Sequence, residues 1–312
     1  MKSIYCLAVS LLLFLLTACE HKELCYDHVH TAQVKVVFDW KHAPQARPAS
    51  MRLYLFSADG SRMIPYEFGG RDGGYITVPG GNYRALCINN DAESVMFTGV
   101  DRFEDFMAYT ANTMAASLPR SASDRAAADE ESVHRSPGML WTDRAEDINI
   151  VLGKQEQTIT LFPDTSVCRY TVEIRNVKNV EGLSASAFSG ALTGISEGFM
   201  VGRNRLSEKR VTIPFEFELA IDGTSTLTAD FLAFGHVKDG RTSRWLYVYV
   251  RMPEGRKFYY AYDVTDQLMK AANPRHVHII LDGPSLPKPI NSGGAVLLHV
   301  DEWEEIAVDI RM

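Results

Sequence analysis

The amino-acid sequence predicts an all-β protein with two β-sandwich domains in tandem. Three observations lead to this prediction. Many short segments alternate apolar and polar residues, turn residues separate these segments at regular spacing, and only two short segments have helical spacing. The chain has 312 residues, which is enough for two domains of ordinary size.

The chain begins with a segment typical of a lipoprotein signal peptide. Lys2 precedes an apolar run from Ile4 to Leu16, and Leu16-Thr17-Ala18-Cys19 has the form of a lipoprotein cleavage site. The run is too short for a transmembrane helix, which needs about 20 apolar residues. We predict that residues 1–18 are removed and that Cys19 carries acyl chains, palmitate among them, which hold the protein on the membrane.

Residues 19–31 are polar and charged without periodicity, and they predict a lipidated tether.

Residues 32–162 are predicted to form the N-terminal β-sandwich domain. Val34, Val36 and Phe38 alternate with Lys35, Val37 and Asp39, which predicts a half-buried first strand. Turn pairs such as Asp59-Gly60 separate the following strands. The further predicted strands of this domain cover residues 51–56, 75–78, 83–88, 138–142, 148–152 and 158–162.

Two segments of the first domain break the strand pattern. Phe103, Phe106 and Met107 recur at helical spacing, which predicts a short helix over 101–109. Residues 112–136 contain no aromatic residue and are rich in Ala, Ser, Arg, Asp and Glu. Such a composition cannot bury much apolar surface, so it predicts a mobile loop whose arginines are open to trypsin-like proteases.

Pro163-Asp164 marks the predicted boundary, and residues 163–312 are predicted to form the C-terminal β-sandwich domain. Residues 263–270 are predicted to form a short capped helix. Asp263 is its capping residue, because its carboxylate can accept from backbone N–H groups of the first turn. A Pro/Gly/Ser linker is predicted over 283–294. A short helix or bulged turn is predicted over 183–188. The predicted strands cover residues 167–177, two short segments within 190–202, 211–219, 227–237, 245–252, 257–262, 277–281, 296–300 and 306–310.

Charge and cysteine content narrow the class of protein. The formal net charge is −7, which argues against a nucleic-acid partner and against electrostatic attraction to an anionic membrane. Besides Cys19, the mature chain keeps Cys25, Cys87 and Cys168, which allow one disulfide at most. Cys87 lies in a strand-like run and is predicted to be a buried apolar residue. Whether Cys25 pairs with Cys87 or with Cys168 stays open.

The motifs of the common enzyme classes are missing from the sequence. It has no phosphate-binding glycine loop, no His-Glu-x-x-His and no Gly-x-Ser-x-Gly. The pairs His28/His30 and His276/His278 supply too few ligands for a metal site. The acidic residues around Trp303 fit a turn between two strands better than a glycosidase pair. We therefore predict no catalytic residue, no metal and no cofactor, and a protein that is not an enzyme.

Two aromatic side chains support an alternative function. Trp245 and Tyr259 are candidates for stacking on sugar rings, and Tyr259 alternates with Phe258 and Tyr260 along its strand. If these rings are exposed, the protein is a surface glycan-binding lipoprotein of a polysaccharide-uptake system. A glycan is thus the alternative partner.

The order of several segments resembles the fimbrillin-like lipoproteins of Bacteroidales. These segments are Leu16-Thr17-Ala18-Cys19, the early strand Val37–Trp40, the turn Val78–Tyr83 and the closing segment Val300–Glu305. Within that group the chain resembles a domain-of-unknown-function family related to the anchoring subunits of the major and minor fimbriae. The segments Phe234-Gly235, Asp263–Asp266 and Leu286–Pro289 carry this closer resemblance.

The resemblance implies two transthyretin-like or Ig-like β-sandwiches, an outer-membrane lipid anchor and a role in adhesive pili. It also implies other fimbrial subunits as partners, joined by addition of a donated strand to an open sheet. Stalk subunits of this group lose their N-terminal strand after an arginine cut. Here the first arginine after Cys19 is Arg47, behind the first strand. This difference favours an anchor or accessory subunit. A role at the tip of the fibre stays open, and so does the side of the outer membrane, cell surface or periplasm, on which the protein lies.

Overall fold

The computed structural model describes residues 30–113, 131–153, 156–238, 243–286 and 304–305. Within these residues the chain is almost entirely β-structure, as the sequence predicts. The strands of the first part are β1 (Thr31–Phe38), β2 (Ser50–Ser57), β3 (Met63–Gly69), β4 (Gly73–Pro79), β5 (Gly81–Asn89), β6 (Val95–Thr98), β7 (Met107–Thr110), β8 (Ser132–Val133), β9 (Trp141–Ile150) and β10 (Gln157–Leu161).

The second part adds twelve more strands in the described residues, a 3₁₀ turn at Ala185–Ala187 and the helix α1 (Thr265–Met269). The Asp263 carboxylate accepts a hydrogen bond from the Thr265 N–H at 3.0 Å, as the capped-helix prediction requires. The strands are β11 (Asp164–Thr165), β12 (Cys168–Arg175), β13 (Phe188–Ser196), β14 (Gly198–Met200), β15 (Arg205–Leu206), β16 (Arg210–Glu216), β17 (Glu218–Asp222), β18 (Thr224–Ala233), β19 (Trp245–Arg251), β20 (Lys257–Asp263), β21 (His276–Asp282) and β22 (Glu304–Glu305).

The strands form five sheets. The sheets β10-β1-β4 and β11-β9-β5-β2-β3 consist of first-part strands, except that β11 comes from the second part. The sheets β17-β18-β12-β21 and β22-β20-β19-β13-β16-β8 consist of second-part strands, except that β8 comes from the first part. One apolar core draws only on residues between Ala32 and Leu161, and another only on residues between Tyr170 and Leu286. These two cores agree with a division near residue 162, and the domain boundary itself stays a prediction.

A fifth sheet, β15-β14-β7-β6, combines strands from both sides of that boundary. Below it lies a third core, in which Phe56, Phe103 and Phe106 meet Val201 and Phe234. Phe56 and Phe103 pack edge to face with their ring centroids 5.8 Å apart. The two parts of the chain are therefore joined by a mixed sheet and a shared apolar core.

The helix predicted over 101–109 is wrong. Phe103 and Phe106 do enter one core, but the backbone turns over 101–105 and then forms β7. The physical reason is the pairing of β7 with β6 on one side and β14 on the other, which supplies its backbone hydrogen bonds. Helical spacing thus identified buried side chains without identifying the backbone conformation.

The predicted mobile loop also needs correction at its C-terminal end. Within 112–136 the structure describes residues 112–113 and 131–136, and Ser132–Val133 form β8, parallel to β16. Glu131 is buried, and its carboxylate accepts from the Gly194 N–H at 2.9 Å and the Thr212 hydroxyl at 3.3 Å. These bonds hold the returning chain against the six-stranded sheet. Residues 114–130 lie outside the described residues.

The strands predicted over 138–142 and 148–152 each overlap one end of a single ten-residue strand, β9. Residues Glu304 and Glu305, predicted in a turn, pair their backbone in parallel with β20. The strands predicted over 296–300 and 306–310, with Trp303 between them, lie outside the described residues. In the part of the chain that the structure describes, no helix has the length and apolar character needed to cross a membrane.

Candidate functional site: the retained N-terminal strand

The first strand, β1, lies in the middle of its sheet. It pairs in parallel with β10, from Val34 opposite Gln157 to Phe38 opposite Leu161. On its other side it pairs antiparallel with β4, from Thr31 opposite Pro79 to Val37 opposite Gly73. Both rows of backbone groups of β1 are therefore used in the fold, and its removal would leave two strands without their common neighbour.

The inward face of β1 closes the first apolar core. Val34 and Val36 are 0% and 1% exposed, and Phe38 packs edge to face on Phe68 at a centroid distance of 5.3 Å. The outward residues Gln33 and Lys35 are exposed. This alternation is the pattern that predicted the strand, and it makes β1 an integral part of the core.

A glycine fixes the close approach of β4 to β1. Gly73 has φ +93°, a conformation that L residues with a side chain rarely adopt. A Cβ at this position would collide with the carbonyl oxygen of Val36. Gly73 is therefore required both by its backbone conformation and by the space that β1 occupies.

The first arginine after Cys19 is held in the loop that follows β1. The Arg47 Nη1 donates to the Pro44 carbonyl at 2.9 Å and to the Ala46 carbonyl at 2.8 Å. Pro48, the next residue, is buried and has neither a backbone N–H nor a free φ. Trypsin-like proteases cut poorly before proline, so the Arg47–Pro48 bond is a poor site for releasing β1.

Arg71 holds the same loop from the other side. Its Nη1 donates to the Ala46 carbonyl at 2.8 Å, and its guanidinium lies over the ring of Trp40 at 5.1 Å from the centroid. The Trp40 indole N–H donates in turn to the Arg71 carbonyl at 2.8 Å. The loop after β1 is thus closely packed, and its arginine is followed by proline at the scissile bond.

The sheet edges decide where a further strand could pair. In the four-stranded sheet of the second part, β17 and β21 are the edges, and β17 is mostly exposed with Ile221 at 66%. The β21 edge is blocked at Ile280, because the Gln267 side chain accepts from the Ile280 N–H at 2.9 Å and donates to its carbonyl at 3.0 Å. A glutamine of α1 there takes the place of a neighbouring strand.

The structure corrects the prediction that Tyr259 stacks on a sugar. Tyr259 is 5% exposed and packs beside Tyr247 and Tyr249, with centroid distances of 6.3 and 6.2 Å. Both faces of β20 are buried, whereas the alternation predicted one open face. Trp245 is half-buried against the same tyrosines, and its role in ligand stacking stays a prediction. The structure therefore brings no pair of open aromatic rings together here.

The described cysteines and histidines do not form a metal or disulfide site. Cys87 is fully buried, as predicted, and burial raises the pKa of its thiol well above the usual value. Cys168 is half-buried and not bonded to Cys87, while Cys25 lies outside the described residues, so its pairing stays a prediction. His278 and Glu173 lie 3.3 Å apart at the surface. Among the described residues, no three potential metal ligands come together.

The fold, in which the N-terminal strand is paired on both sides, defines a class of all-β proteins built from β-sandwiches. The chain belongs to the family known as DUF5119, a domain of unknown function, whose model matches residues 18–216. The predicted resemblance to a domain-of-unknown-function family is confirmed by this match.

One curated relative and two solved structures extend the comparison. The chain is 22% identical over 227 residues to the proposed fimbrium anchoring subunit Fim4B of Bacteroides ovatus, covering 73% of this chain and 63% of that protein. A candidate adhesin from Bacteroides ovatus superposes with a TM-score of 0.61 at 19% identity, over 86% of this chain and 99% of that one. The fimbrial anchor protein Mfa2 from Porphyromonas gingivalis gives 0.50 at 12% identity, over 81% and 91%. The two structures share the fold with this chain.

Proposed function

We propose that this protein is a lipid-anchored structural subunit of a fimbria-like assembly, placed at the outer membrane in the anchor role. Its acyl chains are attached at Cys19, and it contacts partner subunits by β-strand addition. Its role is structural rather than catalytic. The relative described as a fimbrium anchoring subunit and the anchor protein of the same fold support this proposal.

The observation that carries the proposal is the position of β1. A strand in the middle of a sheet, with both neighbours paired and its inner face in the core, holds the fold together. Only 11 residues separate Cys19 from β1, and none of them is arginine. Lipid and fold therefore stay covalently joined, which is what a subunit under load at the membrane requires.

The loop after β1 supports the same role. A cut after Arg47 would separate β1 from the rest of the molecule, but this bond precedes Pro48 in a loop fixed by Arg71. A stalk subunit that loses its first strand needs an accessible arginine behind that strand. In this chain the first arginine behind β1 is Arg47, which is followed by proline and lies in a packed loop.

Strand addition needs an unpaired edge, and β17 provides one among the described strands. Its exposed backbone edge lies beside the acidic residues Glu218 and Asp222. Main-chain hydrogen bonds would supply the affinity for an added strand, and alternating side chains would supply its specificity. The charges on this edge would select against acidic strands, including a second copy of the same edge.

The anchoring half of the proposal is tested by replacing Cys19 with Ala and fractionating the cells. Two acyl chains hold a protein on a bilayer far better than one, at about 0.8 kcal/mol per buried CH₂. A Cys19→Ala variant exported on a signal peptide whose cleavage needs no cysteine is therefore expected in the soluble fraction. Cys25→Ala is the matched control, because it removes a cysteine six positions further along and leaves the anchor in place. Membrane retention of Cys19→Ala equal to that of the control would refute the anchor.

The fimbrial half is tested by the same two strains. If the protein joins a fibre to the membrane, the Cys19→Ala strain sheds assembled fibres into the medium, and the Cys25→Ala strain keeps them. Affinity capture of the wild-type protein from the envelope in mild detergent is expected to recover β-sandwich fimbrial subunits. Capture of no such subunit, with fibres unchanged in both strains, would contradict the fimbrial role. Recovery of glycan by the captured protein would favour the alternative function.

A further inference from the structure

One end of the first sandwich presents two adjacent apolar side chains to solvent. Val151 and Leu152, in the turn after β9, are 48% and 44% exposed. Single exposed apolar residues are normal at protein surfaces, but adjacent ones on a loop tip are typical of contact with a partner or a lipid surface.

The turn lies where the chain enters the fold. The Gly80 N–H donates to the His30 carbonyl at 3.3 Å, immediately before β1 begins. The Leu152 side chain lies directly over Gly80, where a Cβ would meet it at 2.8 Å. Ile150, the last residue of β9, pairs with Gly81. The apolar turn and the entry point of the tether therefore share one end of the sandwich.

The turn is held in place by a buried amide. The Gln157 side chain accepts from the Val151 N–H and donates to the Val151 carbonyl, both at 2.8 Å, and Gln157 is 8% exposed. These two hydrogen bonds use the backbone groups of Val151 and end the ladder of β9. The apolar side chains are thus presented outward on a fixed turn.

We propose that the Val151–Leu152 turn docks on the lipid bilayer beside the acyl anchor. This inference rests on the proposed lipidation of Cys19. Eleven residues lead from Cys19 to His30, and a fully extended chain of that length spans at most about 40 Å. The bilayer is therefore the surface that this end of the molecule meets at high effective concentration. Apolar docking also suits a chain whose net charge of −7 gives it no attraction to anionic lipids.

Docking would set the orientation of the molecule. Strand β1 begins at this end and runs away from it, and β9 runs towards it. With the turn on the bilayer, the sheet β10-β1-β4 stands on the membrane by its tether end, and its opposite end points outward. A load applied to the subunit would then pass along β1 to the acyl chains.

The test places a fluorescent reporter on the turn of the lipidated, full-length mature protein. Leu152→Trp and Val151→Trp are prepared separately and reconstituted into vesicles of phosphatidylethanolamine and phosphatidylglycerol with brominated acyl chains, which quench tryptophan on contact. Ile221→Trp is the matched control, because Ile221 is also exposed and apolar but lies on β17 of the other part. The unsubstituted protein supplies the background of its native tryptophans.

We expect the emission added by Leu152→Trp or Val151→Trp to be quenched and shifted to shorter wavelength in these vesicles, and that of Ile221→Trp to stay unchanged. Leu152→Asp and Val151→Asp should lower the affinity of the non-acylated Cys19→Ala chain for vesicles about tenfold. The reason is that each half-exposed side chain contributes about half of its burial energy and 1.4 kcal/mol is a factor of ten.

Equal quenching at positions 152 and 221 would overturn the inference while the vesicles still carry the protein. A wavelength shift that depends on protein concentration and needs no lipid would also overturn it, since the turn would then meet a second copy. Flotation of the vesicles shows whether the protein is anchored at all, so it separates a failure of this inference from a failure of the proposed function. A wild-type protein that does not float with them lacks the anchor, and the inference then falls with it.

Discussion

The contribution of β1 to the stability of the fold can be tested by one substitution that removes buried methyl groups. Val36 is 1% exposed, and its backbone lies between Ile159 of β10 and Gly74 of β4. Val36→Ala removes two buried methyl groups, worth about 0.8 kcal/mol each in transfer from water, and the cavity adds to this loss. We expect a total loss of about 2–3 kcal/mol in the free energy of unfolding.

The matched control is Val37→Ala, the same substitution one residue along the same strand. Val37 is only half-buried and faces the other side of the sheet, so its loss is expected to stay below about 1 kcal/mol. Guanidinium unfolding measures both variants, with amide hydrogen exchange of residues 31–38 showing which region opens. Equal losses for the two variants would refute the claim that β1 seals the core.

Three further predictions concern other positions in the fold. Gly73→Ala should cost about 2 kcal/mol or more in thermal unfolding, whereas Gly60→Ala, at a similar positive φ but with open space around it, should cost less. Burial lowers the pKa of His236 from 6.5 to about 4, so the unfolded chain binds the proton first and stability falls as the pH drops from about 6.5 to 4. The loss in the free energy of unfolding is at most about 3 kcal/mol and should be absent in His236→Gln. Urea unfolding at several pH values measures it, and a pH dependence of stability that is unchanged in this variant would exclude His236 as the cause. Gln267→Ala frees the edge of β21 at Ile280, so it should cost about 1 kcal/mol and raise light scattering with concentration; no rise would mean that the edge is protected by other means.

The sequence predicts the strands that have one buried and one exposed face. In β1 and β21 the alternation is regular, and the structure shows both strands where it falls. Asp263 likewise predicts the start of the short helix. These elements are local, so the residues within them carry enough information.

Elements that depend on distant partners escape such prediction. Strand β3 is not among the predicted strands. Its Pro65 argues against a central strand, and pairing with β2 places it at the edge of its sheet. The helical spacing of Phe103, Phe106 and Met107 predicts a helix where β7 forms, because the pairing of β7 with β6 and β14 is not visible in the local sequence. The covered outer face of β20, which buries Tyr259, is likewise a property of the whole fold.

The candidate site likewise has features that the sequence predicts and features that only the structure shows. The sequence alone shows that no arginine stands between Cys19 and the first strand, and that Arg47 precedes Pro48. The central position of β1 needs the pairing of β4 and β10 on its two sides, and sequence patterns do not reveal which strands are neighbours. The fixed turn at Val151 likewise depends on Gln157, a polar residue whose burial is set by tertiary packing.

The central claim is that the mature protein keeps its acyl chains and β1 in one covalent piece. Mass spectrometry of the protein purified from the envelope, before and after exposure to an arginine-specific protease, tests it most directly. We predict an N-terminal peptide that begins at acylated Cys19 and remains continuous through Phe38 and the Arg47–Pro48 bond after protease treatment. A mature N-terminus at or beyond Pro48, or an unmodified Cys19, would contradict the account.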